Sequence, residues 1–326
     1  MPEITLVEAV TLALARAMAE DKEVVLLGED IGVDGGVFRA TDGLLARFGA
    51  ERVFDTPLAE AMIAGLSVGL AAQGFRPVAE IQFTGFIYPI IDQILNHASR
   101  LRTRTRGRLT CPLVVRSPYG GGIRAIEHHS ESPEALFAHI PGLRVVIPSS
   151  PRRAYGLLLA AIRDPDPVMF LEPTRLYRSA REEVEDTGEP LPLDRAFVLR
   201  EGGDITFVGW GAMLKETLLA ADRLEADGIG AEVIDAATLK PFDTETLFAS
   251  VQKTGRCVIV HEAALTGGFG GEIAARLAEG ALTSLLAPVA RVAGWDTVIP
   301  GLRVERHYMP GENRILEAAR KTLAFA

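Results

Sequence analysis

Short apolar runs alternate with helix-length amphipathic segments along the whole chain, and that alternation leaves few architectures open. Glu23–Leu27, Arg76–Phe83, Pro112–Arg116, Leu143–Ile147 and Val168–Leu171 read as buried strands. Helical spacing lies between them at Thr5–Glu20, Leu58–Gln73, Phe86–Arg102, Pro133–His139 and Pro151–Ile162. Thr5, with Glu8 three residues on, has the form of a capping box. Strands joined through helices must run parallel, and a parallel sheet is covered on both faces. The stretch Thr174–Arg195 is charge-rich, carries Pro190 and Pro192, and reads as a linker. The alternation then restarts with strands Ile205–Gly209, Ala231–Ile234, Cys257–Val260 and Val289–Val292. Helices are predicted at Ala212–Ala226, Thr244–Val251, Gly271–Glu279 and Glu312–Leu323. The predicted class is α/β: two three-layer domains with mainly parallel sheets, at 1–175 and 196–326, joined by 176–195.

Composition narrows the function classes. With 34 Lys and Arg against 43 Asp and Glu the net charge is −9, which disfavours a general attraction to nucleic acid or an anionic membrane. Two cysteines, Cys111 and Cys257, are too few for a disulfide scaffold. No apolar run reaches the ~18–20 residues that span a bilayer, and Met1–Arg16 lacks the layout of a signal peptide. The expectation is a cytoplasmic protein.

Several motifs have a functional and a structural reading. Gly65-Leu66-Ser67-Val68-Gly69 matches the nucleophile-elbow pattern, but Ser67 falls inside a predicted helix rather than at a strand–helix turn. The helix Leu58–Gln73 is crowded with Ala and Gly, which fits a tightly packed core helix or one at a subunit or cofactor interface. At its start Glu60 serves either as an N-terminal carboxylate or as a costly buried acid kept for chemistry. Gly267–Gly271 follows a predicted strand and opens a helix, yet lacks the third glycine of a dinucleotide fingerprint and the Gly-Lys-Ser/Thr of a P-loop. Arg100–Arg108 reads as a solvated helix end or a partner contact. Glu127, His128, His129, Glu131 and His139 cluster after the glycine loop Tyr119–Gly122, which itself follows a strand. Sites on parallel sheets lie beyond the carboxyl ends of strands, which favours an acid–base or hydrogen-bonding role for one of these histidines over a metal site.

Taken together, a set of segments resembles one family. They are Gly28-Glu29-Asp30-Ile31-Gly32, Asp55-Thr56-Pro57-Leu58-Ala59-Glu60, Arg76–Phe83, Pro118–Gly122, His129-Ser130-Glu131-Ser132-Pro133-Glu134, Val146–Ser149 and Phe170-Leu171-Glu172-Pro173. The chain resembles the beta subunit of the thiamine-diphosphate-dependent decarboxylating component of 2-oxo acid dehydrogenase complexes, of pyruvate or branched-chain type. That resemblance implies a transketolase-like pyrimidine-binding domain followed by a transketolase C-terminal domain.

The resemblance also implies roles. Glu60 would hydrogen-bond the aminopyrimidine ring and favour its imino tautomer, the base for the thiazolium carbon. Leu58, Gln82 and Phe86 would line that ring, Phe86 standing where the family often has Tyr. His129 would act in acyl transfer to lipoamide. The diphosphate and Mg²⁺ are bound in this family by a G-D-G…N-N segment of the alpha subunit, and this chain has no such segment. It is therefore expected to hold half a site, in an alpha2beta2 heterotetramer that delivers acyl groups to a lipoyl acyltransferase core. Backbone carbonyls at Leu113, Val114 and Ala161, with Asp164 and Asp166, match segments where some members bind K⁺. The implied reaction is oxidative decarboxylation of a 2-oxo acid with acyl transfer to lipoamide. The alternatives are the small subunit of a split transketolase and a non-catalytic binding module.

Overall fold

The computed structural model describes residues 3–325. These divide into two compact units, one of residues up to Tyr119 together with Leu136–Leu193, the other of Gly120–Ala135 together with Asp194 onward.

The first unit opens with strand β1 (Glu3–Thr5) and helix α1 (Leu6–Glu20). The capping box is formed: Glu8 N–H donates to the Thr5 hydroxyl, and Thr5 N–H donates to the Glu8 carboxylate at 2.7 Å. Then follow β2 (Val24–Gly28), α2 (Leu44–Phe48), β3 (Val53–Asp55), α3 (Glu60–Ala72), β4 (Arg76–Glu80), α4 (Leu101–Arg104) and β5 (Val114–Tyr119). Helix α5 (Glu134–Ala138) leads back to β6 (Arg144–Val146), α6 (Pro151–Arg163), β7 (Val168–Pro173) and β8 (Arg181–Glu183). The strands lie in the order β6-β7-β5-β4-β2-β3, every neighbour parallel. Strands β2, β4, β5 and β7 are buried almost throughout, as a sheet covered on both faces requires. Helices α1 and α6 pack on each other.

Three segments depart from the sequence expectation, the first being Gly120–Ala135, expected within 1–175 but clustering with the second unit. Phe86–Arg102, predicted as one helix, is a succession of 3₁₀ turns and a π turn ending in α4. Pro89 falls in the first turn, where its missing N–H is tolerated, and helical turns run on from Tyr88 to the end of α4. Residues 176–195, expected as a linker, carry β8, which pairs antiparallel with β1, and residues to Leu193 cluster with the first unit.

The second unit holds β9 (Phe197–Arg200), β10 (Ile205–Gly209), α7 (Met213–Ala226), β11 (Ala231–Asp235), β12 (Thr238–Lys240) and α8 (Thr244–Thr254). It continues with β13 (Cys257–Ala264), α9 (Gly270–Gly280), β14 (Ala290–Gly294), α10 (Glu305–Tyr308) and α11 (Glu312–Leu323). Its sheet runs β14-β13-β10-β11-β9, parallel except for β9. Trp210, at the end of β10, is fully buried and stacks on His261 with ring centroids 5.3 Å apart.

Candidate active site

In the first unit β2 lies between β3 on one side and β4 on the other. The chain therefore changes direction across the sheet at β2, and ligands of open parallel sheets settle outside the carboxyl ends of strands at such a switch point. Those ends are Gly28, Asp55 and Glu80, aligned in register. Glu29, Glu60 and Gln82 follow them in sequence.

Asp55 organises the loop after β2: its carboxylate accepts N–H bonds from Gly32 at 2.6 Å and Val33 at 3.2 Å. Gln82 donates its side-chain amide to Asp30 Oδ2 at 3.0 Å and to the Glu29 carbonyl at 3.3 Å. Phe86 meets Phe83 edge-on at 6.1 Å, and Phe83 meets Phe38 at 5.5 Å, giving an aromatic wall. Glu60 opens α3 half-buried. Glu29 is buried, and burial, the neighbouring Glu60 and Asp30 push its carboxyl above the ordinary range against the Ala59 N–H. Its Oε1 has no hydrogen-bond partner among the described residues. Two facing carboxylates of which one is pushed toward protonation can both accept and donate a hydrogen bond. That donor set fits a nitrogen heterocycle beside an aromatic wall.

The lip of this region is apolar and uncovered. Leu58 and Val33 are each 81% exposed. Met62 and Leu66 stand exposed on α3, which buries only Ile63, Ala64, Ser67 and Ala71. Exposed apolar side chains on a helix are candidates for an interaction surface. Ser67 is fully buried in mid-helix and donates to the Ile63 carbonyl at 2.8 Å, so the nucleophile-elbow pattern is incidental.

His129 ends a 3₁₀ turn (Glu127–His129) in the second unit. Burial and the adjacent His128, whose ring lies edge-on at 4.4 Å, hold its imidazole below the ordinary value, against Glu127. The shift favours the neutral form of the imidazole. No group of three or more His, Cys, Asp or Glu among the described residues is placed to hold a metal ion.

Leu113, Val114 and Ala161 are buried, and their segments meet: the Leu113 carbonyl accepts from Val168 N–H and the Pro165 carbonyl from Cys111 N–H. The Asp164 carboxylate pairs with Arg144 at 2.8 Å, and Asp166 with Arg102 at 2.7 Å. Any cation there would be held by carbonyl oxygens, since arginines already neutralise both carboxylates. The basic stretch Arg100–Arg108 is a helix end and loop, with Arg108 donating to the Thr105 carbonyl.

Sequence reasoning did not single out the network beneath the site. Arg116, 2% exposed, donates two hydrogen bonds to Glu172 at 2.6 and 2.9 Å and one to Glu80 at 3.0 Å, while Tyr177 donates to Glu172 at 2.6 Å. The signal was available: Glu80, Arg116 and Glu172 are charges in or beside runs that must be buried on both faces.

Comparison with known proteins matches the two α/β units. The family model for the transketolase pyrimidine binding domain matches residues 2–180, and that for the transketolase C-terminal domain matches 194–315. The pyruvate dehydrogenase E1 component subunit beta of Bacillus subtilis is 50% identical over 325 residues, covering all of both chains. The protein of the same name from Staphylococcus epidermidis is 48% identical over the same length. The chain belongs to the E1 beta-subunit family of 2-oxo acid dehydrogenases. Membership accounts for the two α/β units in this order. A solved structure described as a split-gene transketolase, an inactive beta4 tetramer, is also similar, with a TM-score of 0.82, 28% identity and 99% of each chain covered. That likeness extends the shared fold to transketolases, and the higher full-length identity places this chain with the E1 beta subunits.

Proposed function

We propose that the chain is the beta subunit of a pyruvate-type 2-oxo acid dehydrogenase, working in the cytoplasm with an alpha subunit in an alpha2beta2 assembly. The observation that carries this is the Glu29–Glu60 carboxylate pair at the switch point of the first sheet, beside Gln82 and Phe86, in a chain 50% identical to a pyruvate dehydrogenase E1 beta subunit. Bound thiamine diphosphate supplies an electron sink for the carbon–carbon bond that breaks as carbon dioxide leaves. Glu60 accepts a hydrogen bond from the ring nitrogen of the pyrimidine and favours the more basic tautomer of its amino group. Glu29, facing it, keeps the pair from sharing more negative charge than a partly dry pocket tolerates. Leu58 and Phe86 shield the ring from water, and Gln82 fixes the loop that carries Glu29. The charged end of the cofactor, with Mg²⁺, belongs to the alpha subunit, for which the open apolar face of α3 and Leu58 is suited. In the second unit, a neutral His129 exchanges a proton with lipoamide sulfur as the acyl group moves to it. A K⁺ ion held by the Leu113, Val114 and Ala161 carbonyls would stiffen the base of β5.

Glu60→Gln, assayed as the alpha–beta complex with an artificial electron acceptor, should lower decarboxylation of pyruvate at least 100-fold. Unchanged turnover would remove Glu60 from the chemistry. Branched-chain 2-oxo acids, tried in parallel, define the substrate. The split-transketolase likeness supports one second reading, ketol transfer to a sugar phosphate. Turnover of sugar phosphates and none of 2-oxo acids would favour it.

A further inference from the structure

The loop that precedes His129 is held by two buried carboxylates of the second unit. Gly121 N–H donates to Glu262 Oε2 at 2.8 Å. Gly122 N–H donates to Glu305 Oε1 at 2.7 Å, and Arg124 N–H to Glu305 Oε2 at 2.9 Å. Glu262 and Glu305 are 3% and 4% exposed. Successive backbone N–H groups that converge in this way form a concavity for an anion, and here the anion is supplied from within the chain by β13 and the first residue of α10.

The glycines make the arrangement possible. Gly120 has φ +83°, and a Cβ there would lie 2.6 Å from both Glu262 carboxylate oxygens. A Cβ on Gly121 would lie 2.5 Å from Ile299 Cδ1. Gly120 N–H donates to the Glu131 carbonyl at 2.9 Å, which closes the loop on itself just beyond His129. The far end of the segment is tied as well, since Trp210 Nε1–H donates to Glu134 Oε1 at 3.2 Å. Between these two fastenings local bonds close the turn, Ser130 N–H to the Glu127 carbonyl and His129 N–H to that of Ile126.

We infer that Glu262 and Glu305 are positioning residues: by clamping the Gly120–Arg124 amides they set where the His129 imidazole stands for acyl transfer. Charge-assisted bonds from amides to a carboxylate are shorter and stronger than neutral ones, and a catalytic group gains from being held before its partner arrives. Both carboxylates are engaged by backbone amides of the loop. Their effect passes through the backbone of one loop, so it should separate acyl transfer from decarboxylation. This inference rests on the acyl-transfer role given to His129 above.

The test uses the full alpha–beta complex with wild type, Glu305→Gln, Glu305→Ala, Glu262→Gln and His129→Ala. Amide hydrogen exchange over residues 120–131 measures the clamp without any functional assumption. Acylation of a lipoyl domain and decarboxylation with an artificial acceptor are read as kcat and KM separately. Exchange at Gly122 and Arg124 should quicken at least 10-fold in Glu305→Ala and less in Glu305→Gln, which keeps one accepting oxygen. The kcat for lipoyl acylation should fall at least 10-fold in Glu305→Ala, with partial recovery in Glu305→Gln, while artificial-acceptor turnover stays within about 3-fold. Glu262→Gln, which removes no side-chain volume, repeats the comparison at Gly121 should the alanine variant not fold. Unchanged exchange overturns the clamp. Faster exchange with normal acylation, in a series where His129→Ala abolishes acylation, overturns the positioning role. Normal acylation in His129→Ala instead refutes the role of His129 and leaves the exchange result to judge the clamp alone.

Discussion

Arg116→Met should destabilise the first unit by about 3–5 kcal/mol, the cost of leaving buried charge without its partner. The magnitude follows from the geometry. The guanidinium is 2% exposed and makes three hydrogen bonds to Glu172 and Glu80 at 2.6–3.0 Å. Burial works against its charge, but Glu172 and Glu80 outweigh that and raise its pKa above the ordinary arginine value. Met retains much of the stem volume, so the cavity contribution is small, and the dominant loss is the counter-charge for two carboxylates on the strands that flank β5. At about 2–4 °C per kcal/mol for a unit of this size, Tm should fall by about 10 °C at pH 7. The loss should also depend on pH. Burial already pushes Glu80 above its ordinary value of 4.5, with Arg116 opposing. Without Arg116 its folded-state value rises further above the unfolded one. Stability is then fullest below about 4.5 and falls as pH rises through the folded-state value. Urea denaturation from pH 4 to 8 measures both effects, with Arg116→Met/Glu80→Leu/Glu172→Leu as the apolar control. That triple variant should recover part of the loss, because replacing the paired charges together is often neutral while the Tyr177 hydroxyl loses its acceptor on Glu172. A single variant within 1 kcal/mol of wild type at pH 7, or a triple variant as unstable as the single one, would refute the reasoning.

His129→Ala should abolish acylation of a lipoyl domain by the alpha–beta complex while turnover with an artificial acceptor stays within about 3-fold, as steady-state rates with the two acceptors will show. In the second unit, burial holds His261 at about 4, with Arg291 adding to the effect and a backbone contact at Ala263 opposing it. Its contribution to stability is complete above the ordinary 6.5 and is lost as pH falls toward 4. His261→Gln should flatten that slope in denaturation curves between pH 4 and 7, and an unchanged slope would locate the titration elsewhere. Leu66→Lys places a charge on the exposed face of α3 and should leave the melting of the isolated chain within about 0.5 kcal/mol of wild type. Gel filtration should show that it prevents association with the alpha subunit, and normal assembly would move the interface off α3.

Periodicity made the strands and long helices legible because each is buried in one consistent way. Ile205–Gly209 and Glu312–Leu323 occupy their predicted bounds, and the Thr5–Glu8 box starts α1 where its two side chains can reach the orphan amides. Short pieces were opaque for a matching reason. Val53–Asp55 and Phe197–Arg200 are too brief to show a period, and the apolar spacing after Phe86 does not separate an α-helix from the 3₁₀ and π turns found there. The site divides along the same line. Glu60, Gln82 and His129 are named through the family resemblance their motifs carry, and they stand at the start of α3, just past β4 and at the end of a 3₁₀ turn. Glu29 could not be weighed, because what singles it out is a through-space neighbour, Glu60, that raises its carboxyl in a buried loop. Arg116, Glu80 and Glu172 each looked like an isolated charge, and only the register of β4, β5 and β7 joins them. A charge inside a strand that periodicity requires to be buried on both faces is therefore itself evidence of a partner on a neighbouring strand, because such a charge left alone would cost about 3–5 kcal/mol, a large share of a domain's ~5–15 kcal/mol margin of stability.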